Sequence, residues 1–119
     1  MSCILYIDDD HEANLLAKIY LKKNGYSVLI AENTEEAREI LKKEAISIII
    51  SDVGLPGESG PEFYRALKKD DQFSKVPFIF VSGHAMGYDE SLLEERHHFL
   101  QKPIFFPDLV KMIESIIGK

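Results

Sequence analysis

The sequence has a single cysteine, Cys3, and no apolar run close to the length of a membrane span. One thiol excludes an internal disulfide and fits a reducing compartment. A helix that crosses a bilayer needs roughly 20 apolar residues, and a secretory signal needs a basic segment before its apolar stretch, which the first residues lack. We therefore expect a cytoplasmic protein that makes no contact with the membrane.

A concentrated basic region is also missing. Asp and Glu number 20 against 14 Lys and Arg, which gives a net charge of −6, and both signs are mixed along the chain. Nucleic-acid binding requires clustered basic residues, so no direct nucleic-acid partner is expected. The chain has no repeat, linker or low-complexity segment, and its 119 residues predict one domain over residues 1–119.

Four short apolar runs each end in polar residues that handle phosphate or metal ions. Runs rich in Ile, Val and Phe predict strands buried on both faces, as in parallel sheets. The runs and the residues that follow them are Ile4–Ile7 before Asp8, Asp9 and Asp10, Ile48–Ile50 before Ser51 and Asp52, Phe78–Val81 before Ser82, and Phe99–Leu100 before Gln101 and Lys102. Because parallel strands share one carboxyl edge, these side chains are predicted to meet in one crevice.

Helical patterns alternate with the strands. Apolar residues recur at helical spacing from Ala13 to Leu21, and similar patterns follow Asn33, Gly60 and Asp108, with a weaker polar one at residues 86–96. One further strand is predicted at residues 26–31, and the strands that contain the second and third apolar runs are predicted to span residues 46–51 and 76–81. Alternation of this kind predicts an α/β fold with a doubly wound parallel sheet and helices on both faces.

Asp52 has two interpretations from the sequence. A carboxylate backed by a buried strand can attack phosphorus, whereas an Asp at this place often only caps the following loop. The acidic pair Asp8 and Asp9 favours the first interpretation, since Mg²⁺ accepts one or two carboxylates and bridges to phosphate. Asp10 is predicted instead to cap the first helix.

The other polar residues fall into two groups. Ser82 could donate to a phosphoryl oxygen, and Lys102, held extended by Pro103, could reach along the edge as a point charge. Ser51 is predicted to face away from Asp52, because neighbouring strand residues point to opposite faces. His84 is predicted to be a surface residue, and His97 and His98 point apart and are not expected to bind a metal jointly.

Taken in order, these motifs resemble the receiver domain of two-component response regulators, in particular the single-domain chemotaxis-type regulators. The resemblance covers essentially the whole chain. The motifs that carry the resemblance are Asp8-Asp9, Asp52 followed by Val53-Gly54-Leu55-Pro56, Gly60, Ser82-Gly83 and Lys102-Pro103. The segment Arg96-His97-His98 departs from the family pattern, because many receivers have a Gly-Ala step there.

The resemblance implies a fold, a cofactor and partners. The strand order would be 2-1-3-4-5, as in flavodoxin-like folds. A sensor histidine kinase or a histidine phosphotransfer protein would donate the phosphoryl group with Mg²⁺ as cofactor, and a downstream protein would read the result. The domain would not be an enzyme beyond self-catalysed phosphoryl uptake and slow autodephosphorylation.

The resemblance also implies a role for each site residue. Asp52 would accept the phosphoryl group. Asp9, Asp52 and the Gly54 carbonyl would bind Mg²⁺ directly, and Asp8 through a water molecule. Ser82 and Lys102 would bind phosphoryl oxygens, and Phe99 would be the aromatic residue that turns inward on phosphorylation.

Three other functions are compatible with parts of the sequence. An Mg²⁺-dependent phosphatase with an aspartate nucleophile would use Asp8-x-Asp10, but Glu12 stands where Thr or Val belongs. A flavin carrier is disfavoured because Asp8 to Glu12 would repel phosphate. A pseudo-receiver that only binds partners is disfavoured by the complete set of Asp8, Asp9, Asp52, Ser82 and Lys102.

Overall fold

The computed structural model describes residues 2–83 and 98–118. Within them, five parallel strands form one sheet in the order β2-β1-β3-β4-β5, which confirms the predicted fold class. The elements are β1 (Cys3–Ile7), α1 (His11–Lys23), β2 (Ser27–Ala31), α2 (Thr34–Lys43), β3 (Ile48–Asp52), α3 (Gly60–Lys68), β4 (Phe78–Ser82), β5 (Phe99–Gln101) and α4 (Phe106–Ile117). The helical pattern at residues 86–96, His84 and His97 lie outside the described residues.

Successive strand residues point to opposite faces of the sheet, and each face has its own apolar core. Ile4 and Tyr6 pack against α1 and α4, whereas Leu5 and Ile7 pack against α2 and α3. The central strands are buried almost completely, which explains why their sequences lack the polar alternation of a half-exposed strand. No helix in the described ranges is long and apolar enough to cross a membrane.

Element boundaries differ from the sequence prediction by a few residues. Strand β3 extends through Asp52, and β4 extends through Ser82, so both polar residues are part of the sheet edge and not of the loops. Helix α4 begins at Phe106 and not at Asp108, because Pro107 in its first turn needs no hydrogen-bond donor there.

Side-chain caps fix the starts of α1 and α3. Asp10 caps α1 as predicted, and its carboxylate accepts from the backbone N–H groups of Glu12 and Ala13. Ser59 and Glu62 form a reciprocal capping box at the start of α3. These caps set the direction in which each helix leaves the carboxyl edge of the sheet.

Gly60 lets α3 approach the end of β3 closely. A Cβ at this position would lie 2.4 Å from the Asp52 carbonyl oxygen, a backbone atom that cannot rotate away. We expect Gly60→Ala to lower the free energy of unfolding by about 1–3 kcal/mol through overpacking, measured by urea denaturation. Gly54→Ala is the matched control, since a Cβ there meets nothing within 4 Å. An equal loss in both variants would contradict the close-approach explanation.

Candidate functional site

Three carboxylates converge at the carboxyl edge of the sheet. Asp8 follows β1, Asp52 ends the neighbouring strand β3, and Asp9 is the next residue along the first loop. One ligand oxygen from each lies within 4.8 Å of the others. The Asp8 side chain is 2% exposed and that of Asp52 is 13% exposed, so both anions are largely removed from water.

Lys102 supplies a cation that the two buried carboxylates share. Its Nζ lies 3.0 Å from Asp8 Oδ2 and 3.4 Å from Asp52 Oδ2. Its backbone N–H donates to the Ser82 carbonyl oxygen at 2.7 Å, which anchors the residue beside β4, and the bond between Lys102 and Pro103 is cis. The side chain therefore reaches from the edge strand across to β3 and β1.

Asp8 is held by a local network. Its Oδ1 accepts from the Asp10 backbone N–H at 2.9 Å, and its carbonyl oxygen accepts from Asn14 Nδ2 at 2.7 Å. Asn14 is 4% exposed and was not identified from the sequence. The sequence did contain an indication of its role, because Asn14 is a polar residue at helical spacing from Ala17 and Leu21, with which it forms the buried face of α1. Asn14 thus ties the first turn of α1 to the loop that positions the acidic pair.

Burial and charge shift the pKa values of the central pair. Burial raises the pKa of Asp52, the Lys102 ammonium opposes that rise, and the charge of Asp8 adds to it. Burial lowers the pKa of Lys102, but hydrogen bonding and charge from Asp8, together with the Asp52 carboxylate, more than offset this and raise it. The site therefore holds excess negative charge that a single ammonium does not balance.

The raised pKa of Asp52 makes a prediction about stability. An acid whose folded-state pKa lies above its unfolded value destabilises the fold once the pH exceeds the folded-state pKa, and the penalty disappears as the pH falls to the unfolded value. We expect Asp52→Asn to raise the free energy of unfolding at pH 7 by about 1 kcal/mol in metal-free buffer. Urea denaturation from pH 3 to 8 measures it.

Added Mg²⁺ gives this prediction its control. The cation is expected to stabilise the parent protein more than Asp52→Asn, because the predicted metal site would bind it through the carboxylates of the folded state. A gap between the two proteins that stays constant with pH would count against the ionised Asp52 carboxylate as the source of the penalty.

The remaining predicted residues occupy distinct places. Ser82 ends β4, next to β3, and is 6% exposed. Ser51 is fully buried and donates its hydroxyl to the Asp52 carbonyl oxygen at 2.9 Å, so it is bonded to the backbone. Gly54 hydrogen-bonds the Asp52 carboxylate through its backbone. Half-buried Phe99 packs against the core on the α2 and α3 side.

The fold and site together define a class of protein: a small doubly wound α/β domain with an acidic cluster and a lysine at the carboxyl edge. Within this class, the chain belongs to the response regulator receiver domain family, whose family model matches residues 4–114. It is thus a receiver domain of two-component signalling, and the phosphatase alternative is not favoured. Receiver domains generally bind Mg²⁺ at an acidic pocket, and the chain has such a cluster.

Named relatives agree with this assignment. The polar-differentiation response regulator DivK of Brucella anthropi is 30% identical over 115 residues, which are 94% of each chain. The chemotaxis response regulator CheY4 of Vibrio cholerae superposes with a TM-score of 0.84 at 26% identity and 98% coverage of both chains. A receiver domain protein from Clostridium thermocellum superposes with a TM-score of 0.85 at 28% identity, over 99% of this chain and 95% of that one.

Proposed function

We propose that Asp52 accepts a phosphoryl group from a phosphohistidine on a sensor histidine kinase or a histidine phosphotransfer protein. The observation that carries this proposal is the shared ammonium of Lys102, 3.0 Å from Asp8 and 3.4 Å from Asp52. The ammonium lies between Asp52, the proposed nucleophile, and Asp8. A phosphoryl group transferred to Asp52 would add negative charge at this place, and the ammonium could neutralise part of that charge. The proposed domain spans residues 1–119 and acts in the cytoplasm.

The metal fits the donor set. Asp8, Asp9 and Asp52 offer hard oxygen ligands within 4.8 Å of one another, which suits Mg²⁺. In the proposed arrangement Asp9, Asp52 and the Gly54 carbonyl hold the ion directly, and Asp8 holds it through water. When bound, Mg²⁺ supplies positive charge that lets one anion approach another.

For the phosphoryl transfer itself, the protein needs only to position the reacting groups and to neutralise their negative charge. An Asp52 carboxylate oxygen attacks phosphorus, and the bond from phosphorus to the donor imidazole nitrogen breaks with its electron pair staying on nitrogen. Lys102 then pairs with the phosphoryl group, and the Ser82 hydroxyl donates to one of its oxygens. Turnover is limited to self-catalysed uptake and slow autodephosphorylation.

The phosphorylated state is proposed to reach a downstream protein through β4 and β5. Phe80 in β4 pairs with Phe99 in β5, and Ser82 pairs with Gln101, two residues after Phe99 in the same ladder. Movement of Ser82 toward phosphate is therefore coupled through two paired strands to the half-buried Phe99 ring. A local charge change biases a two-state element in this way.

Acetyl phosphate tests the proposal without a protein donor. Incubation with acetyl phosphate and Mg²⁺ should add one phosphoryl group, measured as intact mass, and a chelator should prevent it. If the protein stays unmodified under these conditions, the proposal is wrong and the interpretation as a pseudo-receiver, which binds partners without phosphorylation, would remain. Rapid release of phosphate from many esters would favour the phosphatase.

A further inference from the structure

The loop that joins β3 to α3, residues 53–59, carries one of the proposed metal ligands. The Gly60 backbone N–H donates to the Val53 carbonyl oxygen at 3.0 Å, which closes the base of the loop. Val53 and Leu55 bury their side chains on either side of Gly54, whose carbonyl is the proposed Mg²⁺ ligand. Gly54 has no side chain, so the direction of its carbonyl depends on how the rest of the loop is held.

An ion pair with α2 holds this loop near its end. Arg38 Nη2 lies 3.0 Å from Glu58 Oε2, and Nη1 contacts Oε1, so the guanidinium binds both carboxylate oxygens. Two parallel hydrogen bonds between planar groups fix their relative orientation as well as their distance. The side chains of Arg38 and Glu58 are 39% and 29% exposed, so water screens the pair only in part. The loop is thus attached to α2 by a contact of defined geometry.

Further contacts hold each member of the pair in place. The Thr34 hydroxyl hydrogen-bonds the Glu58 carboxylate, and Thr34 is 4% exposed at the start of α2. The guanidinium carbon of Arg38 lies 4.9 Å from the centre of the Phe63 ring of α3, which is a cation–π contact. Hydrogen bonding from Arg38 lowers the pKa of Glu58 in spite of burial, and Thr34 adds to this effect. The carboxylate therefore stays ionised at neutral pH.

The two sides of Glu58 differ in rigidity. On its carboxyl side it adjoins Ser59, which caps α3 in the capping box, so this side is fixed. On its amino side lies Gly57, which has a φ of +74°, and three residues separate Glu58 from Gly54. Glycine allows more backbone conformations than any other residue. A change in the position of Glu58 is therefore taken up between Gly54 and Gly57 and not in α3.

We propose that Arg38 and Glu58 are positioning residues, which hold the Gly54 carbonyl in the direction that Mg²⁺ binding requires. The inference rests on the proposed function, since the role of the Gly54 carbonyl is part of it. The pair lies outside the cluster of three carboxylates and acts through the loop. When either partner is lost, the loop gains freedom that metal binding must then remove, which lowers the affinity.

Two single variants and their combination test this in the full chain. Arg38→Met keeps an apolar stem over Phe63 without the charge, and Glu58→Gln keeps the size of the side chain. Each should raise the Mg²⁺ dissociation constant about threefold to tenfold, below the roughly 10–100-fold typical of residues that bond directly to a metal ligand. Titration of the backbone amide resonances with Mg²⁺ measures this. The double variant should show the same increase as either single variant, because all three break one contact.

An effect of charge alone has a different pattern. Removal of the Arg38 cation would tighten Mg²⁺ binding, whereas removal of the Glu58 anion would weaken it. Opposite changes in the two variants would therefore overturn the positioning role. Lys42→Met is the matched control, because it removes an ion pair with Glu39 on the same helix, where both side chains are more than half exposed. Its dissociation constant should not rise, and a rise equal to that of Arg38→Met would also contradict the inference.

Uptake of the phosphoryl group from acetyl phosphate separates metal binding from chemistry. In Arg38→Met the rate should be lower when Mg²⁺ is below the parent dissociation constant, and it should return to the parent value at saturating Mg²⁺. A rate that stays low at saturation would overturn the inference. Unchanged dissociation constants with only a lower unfolding temperature would leave the pair a structural contact and overturn it too. Failure of acetyl phosphate to modify the parent protein would overturn the proposed function itself.

Discussion

Asp52→Asn is expected to abolish the phosphoryl adduct that the parent protein forms with acetyl phosphate and Mg²⁺. The amide keeps the size of the carboxylate but has no anionic oxygen with which to attack phosphorus. The variant should fold, because the stability argument above gives it the higher free energy of unfolding at pH 7. Intact mass after incubation measures the loss, and peptide mapping of the parent protein locates the modified residue.

The control for this result is Asp71→Asn, which removes an exposed carboxylate between α3 and β4. It should take up the phosphoryl group at the parent rate. An adduct that persists in Asp52→Asn at the parent rate would move the acceptor to another residue, with Asp8 and Asp9 as the nearest carboxylates.

Lys102→Met should separate metal binding from the response to phosphorylation. The substitution keeps the apolar stem but leaves Asp8, 2% exposed, without its cation. We expect the metal-free protein to lose about 2 kcal/mol of stability, below the roughly 3–5 kcal/mol typical of a fully buried pair, because the lysine side chain is 28% exposed. Mg²⁺ affinity should not fall, since the variant site holds one positive charge less to repel the ion.

The conformational response should be lost in the same variant. With no ammonium to leave Asp8 and Asp52 for the phosphoryl group, modification no longer changes the pairing at the edge of β5. Hydrogen exchange at Phe99–Gln101 before and after phosphorylation measures this, with Lys111→Met on exposed α4 surface as control. A parallel decrease in Mg²⁺ affinity and in the exchange response would contradict the role given to Lys102.

The sequence was most informative about the residues whose positions are determined by the parallel sheet. Asp8, Asp52 and Lys102 follow or end separate apolar runs, and parallel pairing alone is enough to bring strand ends together. Asp10 was also predictable, since an acidic residue before a helical pattern is a local signal. These predictions depend on periodicity and on strand direction, both of which can be read from short windows of sequence.

Other features depend on three-dimensional distances that no local window contains. Nothing in the spacing indicates that one ammonium serves both Asp8 and Asp52, or that Asn14 bonds to the Asp8 carbonyl oxygen. Tyr6 looks like any other core residue of a strand. Only the packing of α1 and α4 over β1 shows that this residue borders a cavity.

The pairing of Lys102 with Asp8 joins residues 94 positions apart. During synthesis from the N-terminus, Asp8 and Asp52 are therefore available long before their counter-charge leaves the ribosome. A nascent chain that ends before β5 holds two carboxylates at adjacent strand ends with no lysine between them, and this repulsion opposes the pairing of β1 with β3. A divalent cation bound by these carboxylates would offset that repulsion until Lys102 is synthesised.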